Sequence, residues 1–280
     1  MSAQQTAGAA ADQAAQSDTL EHLARVGLIA YGVVHLLVAY IAFQLAWFGG
    51  SGESADQSGA LKTLAASPVG GPMLWIVGLG LFALALWQAA EVVRWRHGWK
   101  ASGKARNKAL FKSGKALAKA AVYASLGVLA LDVANGPSES SSDSQQRTTE
   151  GVLSWPGGRW IVLLAAAIII GVGVQQIRKG VTASFMKEID TAGCKPGAED
   201  LIRRLGRVGF PGKGIALIGV GALIGWAGIT FDPDKATGLD GALRAVLDAP
   251  FGKWLLTALA LGIAAFGVYL FTRARYPERR

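Results

Sequence analysis

The sequence predicts an all-α, polytopic integral membrane protein. Six transmembrane helices fall into three tandem two-helix repeats, with short amphipathic helices in the loops. Three observations predict this: long runs nearly free of charge, a phrase written three times, and loops whose charge alternates along the chain. Of 280 residues, 51% are hydrophobic and only 17% charged, where soluble domains usually carry about 25% charged residues.

The charge deficit lies in discrete runs. Residues 26–48 carry only His35 and Gln44 as polar landmarks, and residues 73–93 carry one acid, Glu91. Residues 161–177, 214–231 and 254–272 carry no charge at all. A spanning helix needs about 20 mostly apolar residues, and these runs supply that length. A sixth run, 116–135, has Lys119 and Asp132 near its ends, where long side chains reach the interface. Six such runs exceed what the core of one soluble domain needs. Residues 1–24 are rich in Ala and Gln, without Lys or Arg. They read as a disordered, solvated tail and not as a signal peptide, which starts with basic residues. The single cysteine, Cys194, has no partner for an internal disulfide.

GALKTLAASPVGGPMLW starts at Gly59, and GALRAVLDAPFGKWLL starts at Gly241. A worn copy, EGVLSWPGGRW, starts at Glu150. Aligned on Pro68, Pro156 and Pro250, they share Gly70, Gly158 and Gly252. Upstream, each copy has an apolar run that opens on a base-x-Gly step, at Arg25–Gly27, Lys112–Gly114 and Arg207–Gly209. Self-similarity at a near-constant period signals a repeated structural unit. Within the phrase, apolar residues at helical spacing predict a short loop helix. Proline ends it, and the following glycine lets the chain turn into the next span. Trp75, Trp160 and Trp254 at the mouths of those spans suit the interfacial belt. The expected organisation is a tail at 1–24, repeats at 25–98, 116–180 and 207–276, a basic amphipathic linker at 99–115, an amphipathic linker at 181–206, and a basic tail at 277–280.

One set of loops is nearly balanced or acidic. The other set is basic: 94–119 carries nine bases and no acid, and 178–213 carries eight bases against four acids. Bases mark cytoplasmic loops, so both termini are expected in the cytoplasm of a bacterium, with the protein in the inner (plasma) membrane.

The three basic steps with Gly, each followed by a Gly-Ala-Leu…Pro-x-Gly phrase or its remnant, resemble the bacterial membrane family catalogued as domain of unknown function 1206. The resemblance runs from about Leu23 to Tyr276. The middle copy departs from the pattern, having lost Gly-Ala-Leu and gained the insertion SESSSDSQQ. The resemblance implies no activity, cofactor or site residue.

Chemistry-bearing residues are sparse. His35 lies mid-run, and its role is either a hydrogen bond to a neighbouring helix or a proton or ligand site. Gln88 and Glu91 lie near the far end of the second span, with Glu91 three residues from Arg94 and able to pair with it. Gln175 and Gln176 sit at a similar depth in the fourth span. These five residues are the candidate intramembrane polar site, lining a cavity or meeting headgroups. Arg94, Arg96, Lys100, Lys104, Arg106, Lys108, Lys112 and Lys115 form the candidate surface for anionic lipid or an acidic partner; the same charges also serve to orient the chain during insertion. No metal spacing, phosphate loop or nucleophile motif is present, and no cofactor is expected. No nucleic-acid motif accompanies the charge. The expectation is a non-enzymatic membrane protein that organises lipid or partner proteins at the cytoplasmic face, with a small-solute transporter or channel as the alternative.

Overall fold

The computed structural model describes residues 18–50, 52–100, 102–136, 140–190 and 197–276, of which 18–21, 23, 24, 97 and 100 are described by backbone alone. The described residues are helical almost throughout. In chain order the α-helices are α1 (Asp18–Phe48), α2 (Gln57–Ala65), α3 (Gly70–Trp95), α4 (Gly103–Asn135), α5 (Ser141–Leu153), α6 (Gly158–Val181), α7 (Ala198–Thr230), α8 (Gly238–Leu247) and α9 (Gly252–Arg275). Six of them, α1, α3, α4, α6, α7 and α9, are long and apolar enough to cross a membrane. The three short ones, α2, α5 and α8, are the loop helices, one in each copy of the phrase. Each span thus has a loop-helix end and an opposite, base-rich end.

The loop phrase works as a turn of fixed form. Each span after a loop helix starts two residues past the proline, at Gly70, Gly158 and Gly252. The amides of Gly158 and Gly252 donate to the carbonyls of Trp155 and Ala249, at 2.9 and 2.8 Å. A Cβ at either glycine would run into a carbonyl of the preceding loop helix, that of Val152 or Leu247, so only glycine fits there. Trp75, Trp160 and Trp254 are all exposed beside these turns, as an interfacial aromatic belt requires.

Three of the helices reach into stretches expected as linker or tail. The stretch 99–115 is not a separate linker: after a short 3-10 turn at Arg96–Lys100, α4 runs unbroken from Gly103 into the third span. Ala, Lys, Arg and Leu, all good helix formers, supply most of that stretch. Its Ala109, Ser113 and Ala116 are buried, and Trp99 Nε1 donates to Ser113 Oγ at 2.9 Å. Likewise α7 starts at Ala198, inside the stretch 181–206 expected as linker, with Glu199 and Asp200 in its first turn, where the helix dipole favours acids. Helix α1 includes residues 18–24, which fall within the expected tail. Residues 1–17, Cys194 and the basic tail 277–280 lie outside the described residues.

The described residues group into two compact units, one within Met1–Tyr31 and Pro68–Gly136, the other within Gly32–Ser67 and Pro137–Arg280. In the first unit α3 and α4 pack side by side. An added Cβ on Gly78 would lie 3.4 Å from the Gly127 carbonyl oxygen, and one on Gly127 would lie 3.3 Å from that of Gly78. Gly27 of α1 fits against the Gly80 carbonyl and Leu84 of α3. Tyr31 meets Tyr123 edge to face, at 5.4 Å between centroids.

The second unit shows the repeat at close quarters. A Cβ on Gly214 of α7 would lie 2.6 Å from the Gly173 carbonyl oxygen of α6, and one on Gly173 would lie 2.7 Å from that of Gly214. The Gly32–Gly267 pair joins α1 to α9 the same way, at 2.9 and 3.0 Å. Gly32 and Gly214 each stand seven residues after the base of their copy's step, and Gly173 and Gly267 each stand 17 after its proline. The second helix of one copy thus docks on the first helix of the next, and copy three docks back on copy one. Without a hydrophobic drive between helices in lipid, such backbone approach through small residues supplies the packing. In copy two the residue at the Gly32 position is Lys119, which bars the same approach.

The loop helices of the second unit repeat this cyclic order with hydrogen bonds. The position ten before each proline holds Ser58, Gln146 and Asp240. Ser58 Oγ accepts from Ser141 N at 3.0 Å, linking copy one to two. Gln146 Nε2 donates to the Asp234 carbonyl at 3.1 Å, linking two to three. Asp240 Oδ1 accepts from Ala55 N at 2.7 Å, linking three to one. The three loop helices, each taken with the turn before it, are therefore linked in a closed ring of hydrogen bonds.

Candidate functional site

The basic cluster is positioned by the turn Arg96–Lys100 and the start of α4 in the first unit. Arg94 pairs with Glu91 at 2.7 Å, and Trp95 Nε1 donates to the same carboxylate at 2.8 Å. Lys112 lies over the Trp95 ring, 4.0 Å from its centroid, a cation–π contact. Arg96, Lys104, Arg106, Lys108, Lys112 and Lys115 are exposed, and so are Leu110, Phe111 and Leu117 among them. The side chain of Lys100 lies outside the described residues. At 100° per residue, Lys104, Lys108, Phe111 and Lys115 share one face, and Ala109, Ser113 and Ala116 form the buried face. The bases from Lys104 to Lys115 thus lie on the first part of α4, with one large aromatic, Phe111, 68% exposed among them.

The five candidate intramembrane residues have separate surroundings. Glu91 serves Arg94 and Trp95, and Gln88 is half-buried on α3. Gln175 is exposed on α6, and Gln176 beside it is half-buried. His35 is buried, its ring 5.1 Å from that of Phe266.

That Phe266 belongs to a cluster in the second unit which sequence reasoning missed. Lys213 of α7 places its ammonium 4.2 Å from the Phe266 centroid. Phe266 in turn meets Phe210 edge to face at 5.2 Å. Phe210 stacks on Phe185 at 5.1 Å, and Tyr269 meets Phe185 edge to face at 5.4 Å. Phe185 comes from the short 3-10 turn Ser184–Glu188 after α6 and is fully buried. Gly206 makes room for it, since a Cβ there would enter the Phe185 ring. Tyr269 Oη donates to the Phe185 carbonyl at 3.4 Å. Glu188 clamps the turn, paired with Lys179 at 2.6 Å and with Arg273 at 3.3 Å. Lys179 also lies over the Phe210 ring, 4.5 Å from its centroid. The result is an aromatic core at the base-rich end that holds cations against ring faces and carries an inserted plug, Phe185. The available signal was that four aromatics fall in just two segments, Phe185 and Phe210 in the basic loop 178–213 and Phe266 and Tyr269 in the last span.

Among the described residues no group of three or more His, Cys, Asp or Glu could hold a metal ion. A model of the family described as Domain of Unknown Function (DUF1206) matches the chain three times, over residues 26–94, 114–183 and 208–277. The chain belongs to this family. Each DUF1206 match opens within or at the end of a base-x-Gly step and covers one copy of the phrase. The bases from Arg96 to Lys112 lie between the first two matches, and the Phe185 turn lies between the last two. The uncharacterized protein YxxB of Bacillus subtilis (strain 168) is 33% identical over 259 residues, which is 92% of this chain and 91% of the relative. No solved structure matches the chain.

Proposed function

We propose that this DUF1206 protein is a non-enzymatic integral membrane protein that gathers anionic lipid headgroups at the cytoplasmic face of a bacterial inner membrane. The observation that supports it is the exposed face of α4 formed by Lys104, Lys108, Lys115 and Phe111. If residues 116–135 cross the apolar core, the part of α4 before them extends about 20 Å, at 1.5 Å per residue. The headgroup region on one side of a bilayer is thinner than that, at about 5–8 Å, so the bases run through it and beyond. Bases beside an exposed Phe and Leu form the combination that anionic interfaces attract.

Substituting Lys104, Arg106, Lys108 and Lys112 by Gln tests it. Each base near an anionic surface contributes about 1 kcal/mol before screening, so apparent affinity for anionic lipid should fall about tenfold or more. Lipid that copurifies with the protein, measured by mass spectrometry at low and high salt, is the readout. Unchanged lipid with mixed insertion would assign the bases to orientation alone. The orientation is tested separately, in a Cys194→Ser background. A cysteine at exposed Ser154 should react with an impermeant reagent from outside, and one at exposed Ser102 should not. The reverse pattern would overturn the cytoplasmic placement of the basic end.

A transporter is the second reading, favoured by buried His35 inside the first span, whose ring meets Phe266 with Lys213 over the same ring, since ionisable groups inside spans mark solute or proton pathways. It expects lipid retention to be indifferent to the four α4 substitutions.

A further inference from the structure

The ring of loop helices has a buried acid at its join. Asp56 is fully buried. Its Oδ1 accepts from Gly59 N at 3.0 Å, capping α2, and from Ser58 Oγ at 2.7 Å. Its Oδ2 is buried and has no hydrogen-bond partner among the described residues. The neighbouring residue, Ala55, donates its amide to Asp240 of α8, and the two carboxylates act on each other electrostatically. An ionised carboxylate only accepts hydrogen bonds, whereas a protonated one also donates. We propose that the ring is a proton-operated latch: a proton on Asp56 closes the three loop helices more firmly, and its loss loosens them.

A buried charge with an unsatisfied oxygen is costly. A proton removes the charge, removes the repulsion with Asp240, and turns the orphaned oxygen into a donor. The position magnifies the effect. Asp56 caps α2, and its partner Ser58 is the residue that receives Ser141 of copy two. Asp240 closes copy three onto copy one. One protonation event therefore touches two of the three joints.

The other charges around Asp56 do not cancel this. Asp240 is held by Arg244 at 2.7 Å, which tempers its field without removing it. On α5, Asp143, Arg147 and Glu150 are exposed. In the turn before α8, Asp232 pairs with Lys235 at 3.6 Å, and Asp234 is exposed. Glu53 and Lys62, on the segment of Asp56 itself, are half-buried. Burial raises the Asp56 carboxyl above the usual carboxylate range. The Gly59 and Ser58 hydrogen bonds offset part of that rise, and Asp240 adds to it. In the loosened ring the group returns towards about 3.9. The closed ring binds the proton more tightly, so closure gains stability as pH falls through the raised value. The gain is complete below the ordinary value and is lost as pH rises.

Hydrogen exchange on the full chain in lipid nanodiscs tests the latch, in acidic and mildly alkaline buffer and in a pH series between them, with intrinsic rates corrected. Amides of α2, α5 and α8 should exchange several-fold more slowly on the acidic side. Asp56→Asn, neutral at every pH, should keep the slow exchange in both buffers. Asp240→Asn retains an oxygen for Ala55 N and removes the repulsion, so it should move the midpoint down. Ser58→Ala removes a hydrogen bond from the carboxylate and should move it up. These opposite shifts decide the matter even if Asp56→Asn does not insert. A ring indifferent to pH, an Asp56→Asn variant that keeps the dependence, or two midpoints moving together would overturn the latch. None of these readouts depends on lipid retention at α4.

Discussion

Gly214→Ala should destabilise the second unit sharply, while Gly171→Ala, on the helix that Gly214 packs against, should not. A Cβ on Gly214 would lie 2.6 Å from the Gly173 carbonyl oxygen and 2.7 Å from Ile177 Cγ1. Backbone cannot yield as a side-chain tip can, so α6 and α7 must separate. Overpacking of this kind costs about 1–3 kcal/mol for one methyl, and Gly214→Leu should abolish folding. Gly171 is exposed, with nothing within 4 Å of an added Cβ. Alanine there should be neutral or gain up to about 1 kcal/mol of helix propensity. Denaturant titration of purified protein in detergent, with yield of monodisperse protein as a second readout, compares the two. Equal tolerance at both sites would mean that the glycine seam does not hold α6 to α7.

Phe185→Ala should be the most damaging change outside the spans. The ring is fully buried, faces Phe210 and Tyr269, and occupies the space left by Gly206. Large-to-small changes at such aromatic sites cost about 3–5 kcal/mol. Glu188→Gln, in the same turn, should cost much less. Its side chain is 27% exposed, and partly exposed ion pairs contribute at most about 1 kcal/mol. The ranking is the test: the plug, and not the salt-bridge clamp, should dominate the unfolding midpoint. If Glu188→Gln proved the more damaging, the clamp would be the stabilising element.

The six spans, the loop helices and their turns were readable because each rests on a local rule. Charge-free runs of span length, proline as a stop and glycine where a Cβ cannot fit need no knowledge of neighbours. What was missed depends on three dimensions. Lys213 counted as the last base of a loop, yet α7 starts at Ala198 and carries it onto the Phe266 ring. A linear reading places a base at the margin of an apolar run; only the longer helix shows which ring it meets. The ring positions Ser58, Gln146 and Asp240 share a place in the repeat but no chemistry, so residue identity gave no hint that all three bridge to the next copy. The glycine seams were half visible: Gly173 and Gly267 align with Ala85 across the copies, but their partners Gly32 and Gly214 lie in other copies. The bases of α4 were readable as a cluster. Their mounting on a helix continuous with a span was not, because composition alone does not distinguish an extension from a separate surface helix.

The cyclic order of the second unit also sets a timetable for biogenesis. The bond from Ala55 to Asp240 joins residues 185 apart, and that from Trp47 to Thr257 joins residues 210 apart. Gly32 likewise has its docking partner, Gly267, in α9. A chain made from its N-terminus at about 5–20 residues per second would hold the first span in the bilayer for roughly ten seconds or more before that partner is synthesised. During that interval the small-residue face of α1 is open to other membrane helices, and a chain stopped short of α9 keeps it open. Truncated products should therefore be recognised by the first span and not by the broken end, which makes α1 the segment on which membrane quality control would act.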